Sequence, residues 1–313
     1  MVPSAVVAGV VVLFAALIVD RLIGDPQSPF HPVALLGWFI GKWGQPRKYS
    51  PQMQRFAGVL LWMVTAALFA LPFYYFAAVA PWFLYLVGAP ILLKCCFAWR
   101  SLEEHTLAVV HALHAGVEEG RDQVKMLVSR DTTHLNRAHI LSAGYESMTE
   151  NLTDSIISPL FYFSLFGLVG AAVYRAANTM DAMLGYKDER KRLGWFSARM
   201  DDILNFVPAR LTVMVLLVYF AFTGRFSHAV RVMRRDGCKR PGFNGGIVMA
   251  AMAGGTGIQF VKPGVYEIGD NERTFDDAGA EIIRAGRFAT IAFTVLASGT
   301  LFLLGSLINS TGI

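Results

Sequence analysis

Charged residues are scarce in this 313-residue sequence. Asp, Glu, Lys and Arg together make up 16% of it, whereas hydrophobic residues make up 54% and the mean hydropathy is +0.45. Soluble domains carry about 25% charged residues, so this shortage excludes an ordinary soluble protein. The composition instead predicts an integral membrane protein that crosses the bilayer several times.

Cysteine is almost absent as well. The three cysteines form no CxxC pair, which argues against a disulfide framework, a structural zinc site or a redox pair. No HExxH motif accompanies the histidines. No basic–aromatic motif accompanies the net charge of +5, so we expect no nucleic-acid partner. The excess of Lys and Arg is instead typical of the cytoplasmic loops of membrane proteins.

One stretch, PGFNGGIVMAAMAGGTGIQF, is rich in glycine. It lacks the GK[ST] of a Walker loop, and no predicted strand precedes it as a Rossmann fingerprint requires. Two interpretations remain. Its backbone amides could cradle an anion, or its small residues could let helices pack closely.

Six apolar runs are long enough to cross or half-cross a bilayer. They cover residues 2–19, 56–80, 81–97, 155–173, 206–223 and 285–307. The regions between them are polar. Residues 20–55 are interpreted as a loop because Pro, Gly and Ser recur there, whereas helices are predicted from Trp99 onward, over 121–128 and over 135–151. The pattern predicts an all-α polytopic membrane protein with about five or six membrane or half-membrane helices. We expect one integral membrane domain over 1–313.

The run 155–173 differs from the others because Ser158-Pro159, Gly167 and Gly170 interrupt it. It could span the bilayer, or it could be a broken or re-entrant segment packed inside the protein. The two possibilities place the polar regions that follow on different sides of the membrane. The sequence leaves both topologies open.

Polar clusters precede this run. Asp20 and Asp25 could bind a cation or a phosphate-bound Mg²⁺, or they could form an Asp-Pro turn in which Asp20 caps a helix. The Arg130-Asp131-Thr132 cluster could bind phosphate through Arg130, or Asp131 or Thr132 could be the N-cap of the next helix.

Three acids, Glu146, Glu150 and Asp154, are spaced at i, i+4 and i+8 with Asn151 beside them. Acids stacked on one helix face repel each other. Bound Mg²⁺ or basic partners would relieve that repulsion, and the alternative is a hydrated face above the membrane.

Two more clusters follow the interrupted run. The first comprises Arg175, Asn178 and Asp181 along one stripe, and the second comprises Arg199, Asp201, Asp202, Asn205 and Arg210. Arg175 could instead anchor the chain at the membrane surface. Arg210 lies within an apolar run, where a charge needs a partner or must reach the interface.

Five stretches together have a recognisable order: DRLIGDPQSPFHPV, RSLEEHTLAVVHAL, VSRDTTHLNRAHILSAGYESMTENLTDSIISPLF, YRAANTMDAMLGYKDERKRLGWFSARMDDILNFVPARLT and AAMAGGTGIQFVKPGVYEIG. They resemble the adenosylcobinamide-phosphate synthase family of cobalamin biosynthesis, CbiB/CobD, over nearly the whole chain. Ser129 stands where that family usually has Gly. Residues 240–246 replace its usual Ser-Pro-Asn-Ala-Gly.

The resemblance implies an enzyme that joins adenosylcobyric acid to (R)-1-amino-2-propanol O-2-phosphate by an amide bond. It also implies ATP and Mg²⁺ as cofactors. We expect catalytic roles for Glu146, Glu150, Asp154 and Asp181, with Mg²⁺ at Glu150, Asp154 and Asp181. Expected substrate or nucleotide contacts are Asp25, Arg130, Asp131, Asn151, Arg175, Asn178, Arg199, Asp201, Asp202, Asn205 and Arg210.

The expected location is the cell membrane, in a multi-pass arrangement, and the expected partners are the two substrates, membrane lipid and other cobalamin-pathway enzymes. A transporter and a scaffold for corrinoid-pathway enzymes are the alternatives. Charges at span ends and the absence of an inverted repeat argue against a transporter. A single active site further requires that 155–173 be buried and bring the clusters at 146–154 and 175–202 into one pocket.

Overall fold

The computed structural model describes residues 5–25 and 28–311. Within them the helices are, in chain order, α1 (Ala5–Ile23), α2 (Pro32–Trp43), α3 (Gln54–Val79), α4 (Trp82–Lys94), α5 (Trp99–Ala115), α6 (Val117–Lys125), α7 (Arg137–Leu152), α8 (Ser158–Leu184), α9 (Trp195–Leu204), α10 (Phe206–Phe222), α11 (Phe226–Asp236), α12 (Gly245–Thr256) and α13 (Phe275–Thr311). A π-helical turn, Thr153–Ile157, joins α7 to α8. Strands β1 (Gln259–Lys262) and β2 (Tyr266–Gly269) pair antiparallel, with Phe260 opposite Ile268.

The predicted fold class is confirmed, because the described residues contain five helical segments long and apolar enough to cross a membrane. These are Val6–Ile23, Gln54–Val79, Trp82–Ala115, Arg137–Leu184 and Phe275–Leu303, with a sixth if Trp195–Leu204 and Phe206–Phe222 count as one. The protein is therefore an all-α polytopic membrane protein. The first residues of the run 2–19 lie outside the described residues.

Two local predictions need correction. The loop expected at 20–55 contains the helix α2, whose N-cap is His31 and whose first residue is Pro32. Proline is compatible with the first position of a helix, where its missing N–H would have no partner anyway. The short β-hairpin was also not predicted, because strands of four residues give little periodic signal.

By internal contacts the chain divides into two compact units. Unit 1 comprises Met1–Ala98, Ser158–Asn205 and Thr294–Ile313, and unit 2 comprises Trp99–Ile157 and Phe206–Phe293. Each unit combines segments that are distant in the sequence. The expectation of one integral membrane domain over 1–313 stays a prediction.

The core of unit 1 is formed where α2, α3 and α8 pack together. Ile40, Trp62 and Met180 are buried there with Leu184. Gly58 lets α3 approach the chain closely, because a Cβ at this position would lie 2.1 Å from the backbone oxygen of Leu193. Small residues of this kind are the usual means of close helix packing in membranes, where lipid removes most of the hydrophobic driving force.

The chain reverses direction inside α8. Gly167 has φ +64° and ψ −153°, a conformation that only glycine adopts readily. The rings of Tyr162 and Tyr174 stack with centroids 5.3 Å apart. The hydroxyls of Ser158 and Tyr174 both donate to Asn205 Oδ1, at 2.6 and 2.8 Å. In a straight helix Ser158 and Tyr174 would be roughly 24 Å apart, so α8 is a helical hairpin.

This hairpin decides between the two interpretations of 155–173. Its first arm continues from α7 through the π-helical turn without a break, and it ends at the reversal at Gly167. Most of the run is buried, including Leu160, Phe163 and Leu168. The burial and the reversal at Gly167 favour a broken or re-entrant segment packed inside the protein over an ordinary lipid-facing span.

Replacing Gly167 with alanine should destabilise the protein by about 1–3 kcal/mol, because the turn needs a backbone conformation that a Cβ disfavours. The thermal unfolding midpoint of the purified protein in detergent measures this. Gly41→Ala is the matched control, since a Cβ on α2 at that position meets nothing within 4 Å. Equal midpoints for the two variants would contradict the hairpin turn.

In unit 2 the glycine-rich stretch forms the buried helix α12. A Cβ at Gly254 would lie 2.7 Å from Val232 Cβ on α11, and one at Gly255 would lie 2.2 Å from the Phe220 ring on α10. The glycines thus allow α12 to pack closely against both neighbours. Of the two interpretations of this stretch, the structure favours close helix packing.

Candidate functional site

The site in unit 2 is organised around the buried carboxylate of Glu146 on α7. The Ser142 hydroxyl, one turn earlier, donates to Glu146 Oε1 at 2.6 Å and accepts from the Val261 backbone N–H at 2.8 Å. The Tyr266 hydroxyl on β2 donates to Glu146 Oε2 at 3.0 Å. The β-hairpin therefore contacts α7 directly and holds this carboxylate in one orientation.

Tyr266 is a hydrogen-bond donor at neutral pH. Burial raises the pKa of its phenol, and the adjacent Glu146 carboxylate raises it further. Both effects disfavour a phenolate. The proton therefore stays on Tyr266 and is available to Glu146.

Arg130 lies on the other side of Glu146, in the loop before α7. Its Nη2 is 3.4 Å from Glu146 Oε2. Its Nε, Nη1 and Nη2 atoms are buried and make no hydrogen bond to any residue that the structure describes. A guanidinium carries five N–H donors in a planar fork that matches carboxylate and phosphate oxygens. Arg130 thus presents hydrogen-bonding capacity that the protein does not satisfy.

Glu150, one turn beyond Glu146, forms an ion pair with Arg240 from the segment between α11 and α12. Together with Lys262 from the end of β1 and the Asn151 side chain, these groups line a cavity of about 240 Å³. Drug-sized ligands occupy pockets of about 300–1,000 Å³. This cavity therefore suits a phosphate-sized end group rather than a whole nucleotide or macrocycle.

Basic side chains relieve the repulsion predicted among the three acids Glu146, Glu150 and Asp154. Glu146 and Glu150 face Arg130 and Arg240 respectively. Asp154 lies in the π-helical turn, where the α-helical register of α7 ends, and its charge also acts on Arg240. Turns of this kind are frequent at functional sites.

In unit 1, Asp20 and Asp25 bind a cation that belongs to the protein itself. Lys94 Nζ is 3.0 Å from Asp20 Oδ1 and also pairs with Asp25. Lys94 is 5% exposed and Asp20 is fully buried. Lys94 is the positive charge that the structure places at this pair, and the expected substrate or nucleotide contact of Asp25 stays a prediction.

A second polar cluster of unit 1 centres on Asp201. Its Oδ1 accepts from Asn178 Nδ2 at 3.3 Å, and its Oδ2 accepts from Asn205 Nδ2 at 3.0 Å. Asp201 and Asn205, four positions apart, therefore lie on the same side of α9 and contact each other. Asp181 is close enough to affect the Asp201 charge. Because Asn205 also accepts from the two arms of the α8 hairpin, this cluster fixes the hairpin to α9.

Several predicted site residues lie outside the unit 2 cavity, the Lys94 group and the Asp201 cluster. Asp131 is in an exposed turn where Thr133 N–H donates to it at 2.9 Å, and the N-cap of α7 is Asn136 rather than Asp131 or Thr132. Arg199 and Asp202 form an exposed pair 4.0 Å apart. Arg210 donates to Asn244 Oδ1 at 2.7 Å and to the Phe206 carbonyl at 2.9 Å, so it ties α10 to the start of α12.

Unit 2 also contains a group of residues with the composition of a metal site. His228, Asp270 and Glu272 place one ligand atom each within 4.8 Å of the others. However, Arg235 donates to Asp270, Arg225 donates to Glu272, and these hydrogen bonds lower the pKa of both carboxyls. The group is therefore an ion-pair network that joins α11 to the segment before α13.

The predicted site residues belong to both units. Arg130, Asp131, Glu146, Glu150, Asn151, Asp154 and Arg210 are in unit 2, whereas Asp25, Arg175, Asn178, Asp181, Arg199, Asp201, Asp202 and Asn205 are in unit 1. The residues of each cluster all belong to one unit. One shared pocket for 146–154 and 175–202 stays a prediction, and so does the Mg²⁺ set of Glu150, Asp154 and Asp181.

Sequence reasoning missed three residues of the unit 2 cavity, Arg240, Lys262 and Tyr266. Lys262 and Tyr266 lie within AAMAGGTGIQFVKPGVYEIG, one of the stretches that carries the family resemblance, so a signal was present. Arg240 was noted only as part of the divergent residues 240–246. Its contact with Glu150 shows that this segment contributes directly to the cavity.

The fold and the cavity define a helical integral membrane protein whose polar cavity combines arginine and lysine with carboxylates. The chain belongs to the CobD/CbiB family of cobalamin biosynthesis proteins, since the family described as "CobD/Cbib protein" matches residues 13–292.

Curated relatives agree with the family match. The chain is 38% identical over 305 residues to "Probable cobalamin biosynthesis protein CobD" of Methanothermobacter thermautotrophicus, covering 94% of this chain and 98% of the relative. It is 43% identical to the protein of that name in Thermococcus kodakarensis, covering 84% and 86%. It is 35% identical to "Cobalamin biosynthesis protein CobD" of Dehalococcoides mccartyi, covering 84% and 87%. No solved structure matches significantly.

Proposed function

We propose that this protein is an amide-forming ligase of the cell membrane that joins adenosylcobyric acid to (R)-1-amino-2-propanol O-2-phosphate, giving adenosylcobinamide phosphate. Membership of a cobalamin biosynthesis family supports the pathway. The resemblance to adenosylcobinamide-phosphate synthases supports the reaction. The single structural observation that carries the proposal is the unit 2 cavity, in which the unsatisfied guanidinium of Arg130 lies beside two carboxylates.

A carboxylate does not form an amide in water without activation. When bound, ATP would supply the phosphoryl group that converts the substrate carboxylate into an acyl phosphate, from which the amine displaces phosphate. The phosphate end of a nucleotide fits the cavity by chemistry, because Arg130, Arg240 and Lys262 are donors suited to phosphate oxygens. Positioning and charge neutralisation of this kind account for most of the catalysis of phosphoryl transfer.

The residues around Arg130 have separable roles in this proposal. Glu146, held by Ser142 and Tyr266, keeps the Arg130 guanidinium oriented toward the cavity. A phosphate group that binds Arg240 would compete with Glu150 for the same donors. Glu150 would then be able to accept the proton that the substrate amine loses as the amide bond forms.

Magnesium fits the same residues as a companion of phosphate. Glu150 and Asp154 are hard oxygen donors, which Mg²⁺ prefers. Both lie in the field of Arg240, so a cage made only of protein ligands does not suit this site. Mg²⁺ is usually held by one or two carboxylates together with substrate phosphates, and Glu150 and Asp154 match that requirement.

The decisive experiment uses the full chain purified in detergent with no other protein. We expect conversion of adenosylcobyric acid to adenosylcobinamide phosphate, detected by mass spectrometry, only when ATP, Mg²⁺ and aminopropanol phosphate are all present. Ethanolamine phosphate in place of aminopropanol phosphate tests the choice of amine. Activity in detergent excludes transport as the whole function. Lack of product, together with corrinoid uptake by proteoliposomes, would favour the transporter, and activity only with added pathway enzymes would favour the scaffold.

Replacing Glu150 with glutamine keeps the side chain's size and removes its charge. We expect kcat of amide formation to fall by about 10²-fold, the typical loss when a general base is removed. Glu119→Gln, at an exposed position in the first turn of α6, is the matched control and should keep wild-type kcat.

Asp181→Asn makes the same change in unit 1, where Asp181 is expected to act in catalysis. We expect a loss of similar size, about 10²-fold in kcat. The steady-state assay used for Glu150→Gln measures it. If Glu150→Gln and Asp181→Asn both retain wild-type rates, the assignment of these acids to the active site is wrong.

A further inference from the structure

Unit 1 contains a cavity of its own, separate in composition from the cavity of unit 2. Its volume is about 440 Å³, which lies within the range of small-molecule sites. Its polar lining consists of Asp25, Ser28, His31 and Arg175, and its apolar lining includes Val33 and Phe97. All of these residues belong to unit 1.

His31 presents an N–H donor to this cavity. Its Nδ1 accepts a hydrogen bond from the Val33 N–H at 3.3 Å, so the proton of the neutral ring is on Nε2. Burial is the largest effect and lowers the pKa of His31; the charges of Lys94 and Arg175 also lower it, while Asp25 opposes them. The ring is therefore neutral at pH 7. Its Nε2 is buried and has no hydrogen-bond partner among the described residues.

Arg175, on the second arm of the α8 hairpin, presents another donor. Its Nε is buried and likewise makes no hydrogen bond within the part of the chain that the structure describes. Nearby Asp25 does not meet this need, because its carboxylate pairs with Lys94. Two residues that line one cavity thus each carry a buried N–H donor with no acceptor among the described residues. Buried polar groups are normally satisfied, so such donors call for a partner.

The start of α2 adds to the preference for negative charge. His31 is the N-cap of this 12-residue helix, and Val33 and Ala34 of its first turn line the cavity. The N-terminal end of a helix carries a partial positive charge and favours anions. The apolar part of the lining favours a ligand with an apolar body next to its charged group.

We propose that this cavity binds the oxyanion of a small organic ligand, a carboxylate or a phosphate monoester, through the Nε–H of Arg175 and the Nε2–H of His31. The inference goes beyond the proposed function, because these donors would bind an oxyanion whatever reaction the protein performs. If the amide-forming function also holds, the carboxylate of one substrate and the phosphate of the other are the two possible sources of that group.

The test is isothermal titration of the full chain in detergent with phenyl phosphate, benzoate and uncharged benzyl alcohol. We expect at least one of the two oxyanions to bind. His31→Ala and Arg175→Gln should each weaken that binding at least tenfold or reduce the bound stoichiometry by one per chain. Tighter binding of phenyl phosphate indicates a phosphate ligand, and tighter binding of benzoate indicates a carboxylate.

Two further variants separate a binding role from a structural one. His31→Gln retains a side-chain N–H donor and should recover part of the affinity lost in His31→Ala. Arg47→Gln removes a positive charge from the surface of unit 1, at a side chain that is 89% exposed, and should bind like the wild type. Unchanged oxyanion binding in His31→Ala and Arg175→Gln, or an equal loss for benzyl alcohol, would overturn the proposal. Neither result depends on an assay of amide formation.

Discussion

Replacing Lys94 with methionine is expected to lower the free energy of unfolding by about 3–5 kcal/mol. Lys94 is buried between Asp20 and Asp25, and Asp20 is fully buried. Removing the cation leaves negative charge in a region that water does not reach, and uncompensated buried charge is strongly destabilising. Denaturant unfolding of the purified protein, followed by tryptophan fluorescence, measures the change.

The control for this prediction is Lys42→Met on α2, an exposed position of unit 1 where the expected change is small. Adding Asp20→Asn to Lys94→Met should recover part of the lost stability, because it removes one of the two carboxylates that Lys94 neutralises. A Lys94→Met protein as stable as Lys42→Met would show that the ion pairs contribute little.

Replacing Arg130 with glutamine is expected to lower kcat/KM for amide formation by about 10²–10³-fold. This is the usual loss when a donor to a charged transition state is removed from a site that excludes water. The prediction rests on the buried Arg130 nitrogens that make no hydrogen bond. Steady-state kinetics with each substrate varied in turn measure the loss, and the substrate whose KM changes most identifies the phosphate that Arg130 binds.

Arg130→Lys should give an intermediate rate, because lysine keeps the charge but not the planar fork. Arg234→Gln, at an exposed position on α11, removes one positive charge from unit 2 outside the cavity and should keep the wild-type rate. If Arg130→Gln and Arg234→Gln are equally active, Arg130 has no role in the reaction and the cavity is not the site of phosphate binding.

The membrane class and most helices could be predicted because their signals are local. A run such as 56–80 is apolar over its full length, and the structure places α3 at Gln54–Val79. The helix α2 was missed because Pro32 and the glycines near it were interpreted as turn residues. In the structure, Pro32 occupies the first turn of the helix and Gly44 its C-cap, where both residues are well suited.

The α8 hairpin shows what local patterns leave open. The sequence indicates an interruption at Gly167 and Gly170, but a kink and a full reversal have the same composition. The reversal depends on the stacking of Tyr162 on Tyr174 and on the hydrogen bonds that Ser158 and Tyr174 donate to Asn205. These contacts join residues that are too far apart in the sequence for a local pattern to reveal them.

The apolar content of the chain and the positions of its polar residues were sufficient to indicate a helical membrane protein and the polar clusters proposed to carry its chemistry. Hydropathy and helical spacing are properties of neighbouring residues, and they need no folded structure to be seen. The partners of those clusters were decided only by the tertiary structure, since Lys94 meets Asp25 from 69 positions away and Arg240 meets Glu150 from 90. Buried charges must be neutralised, and which distant side chain does so depends on how the helices pack.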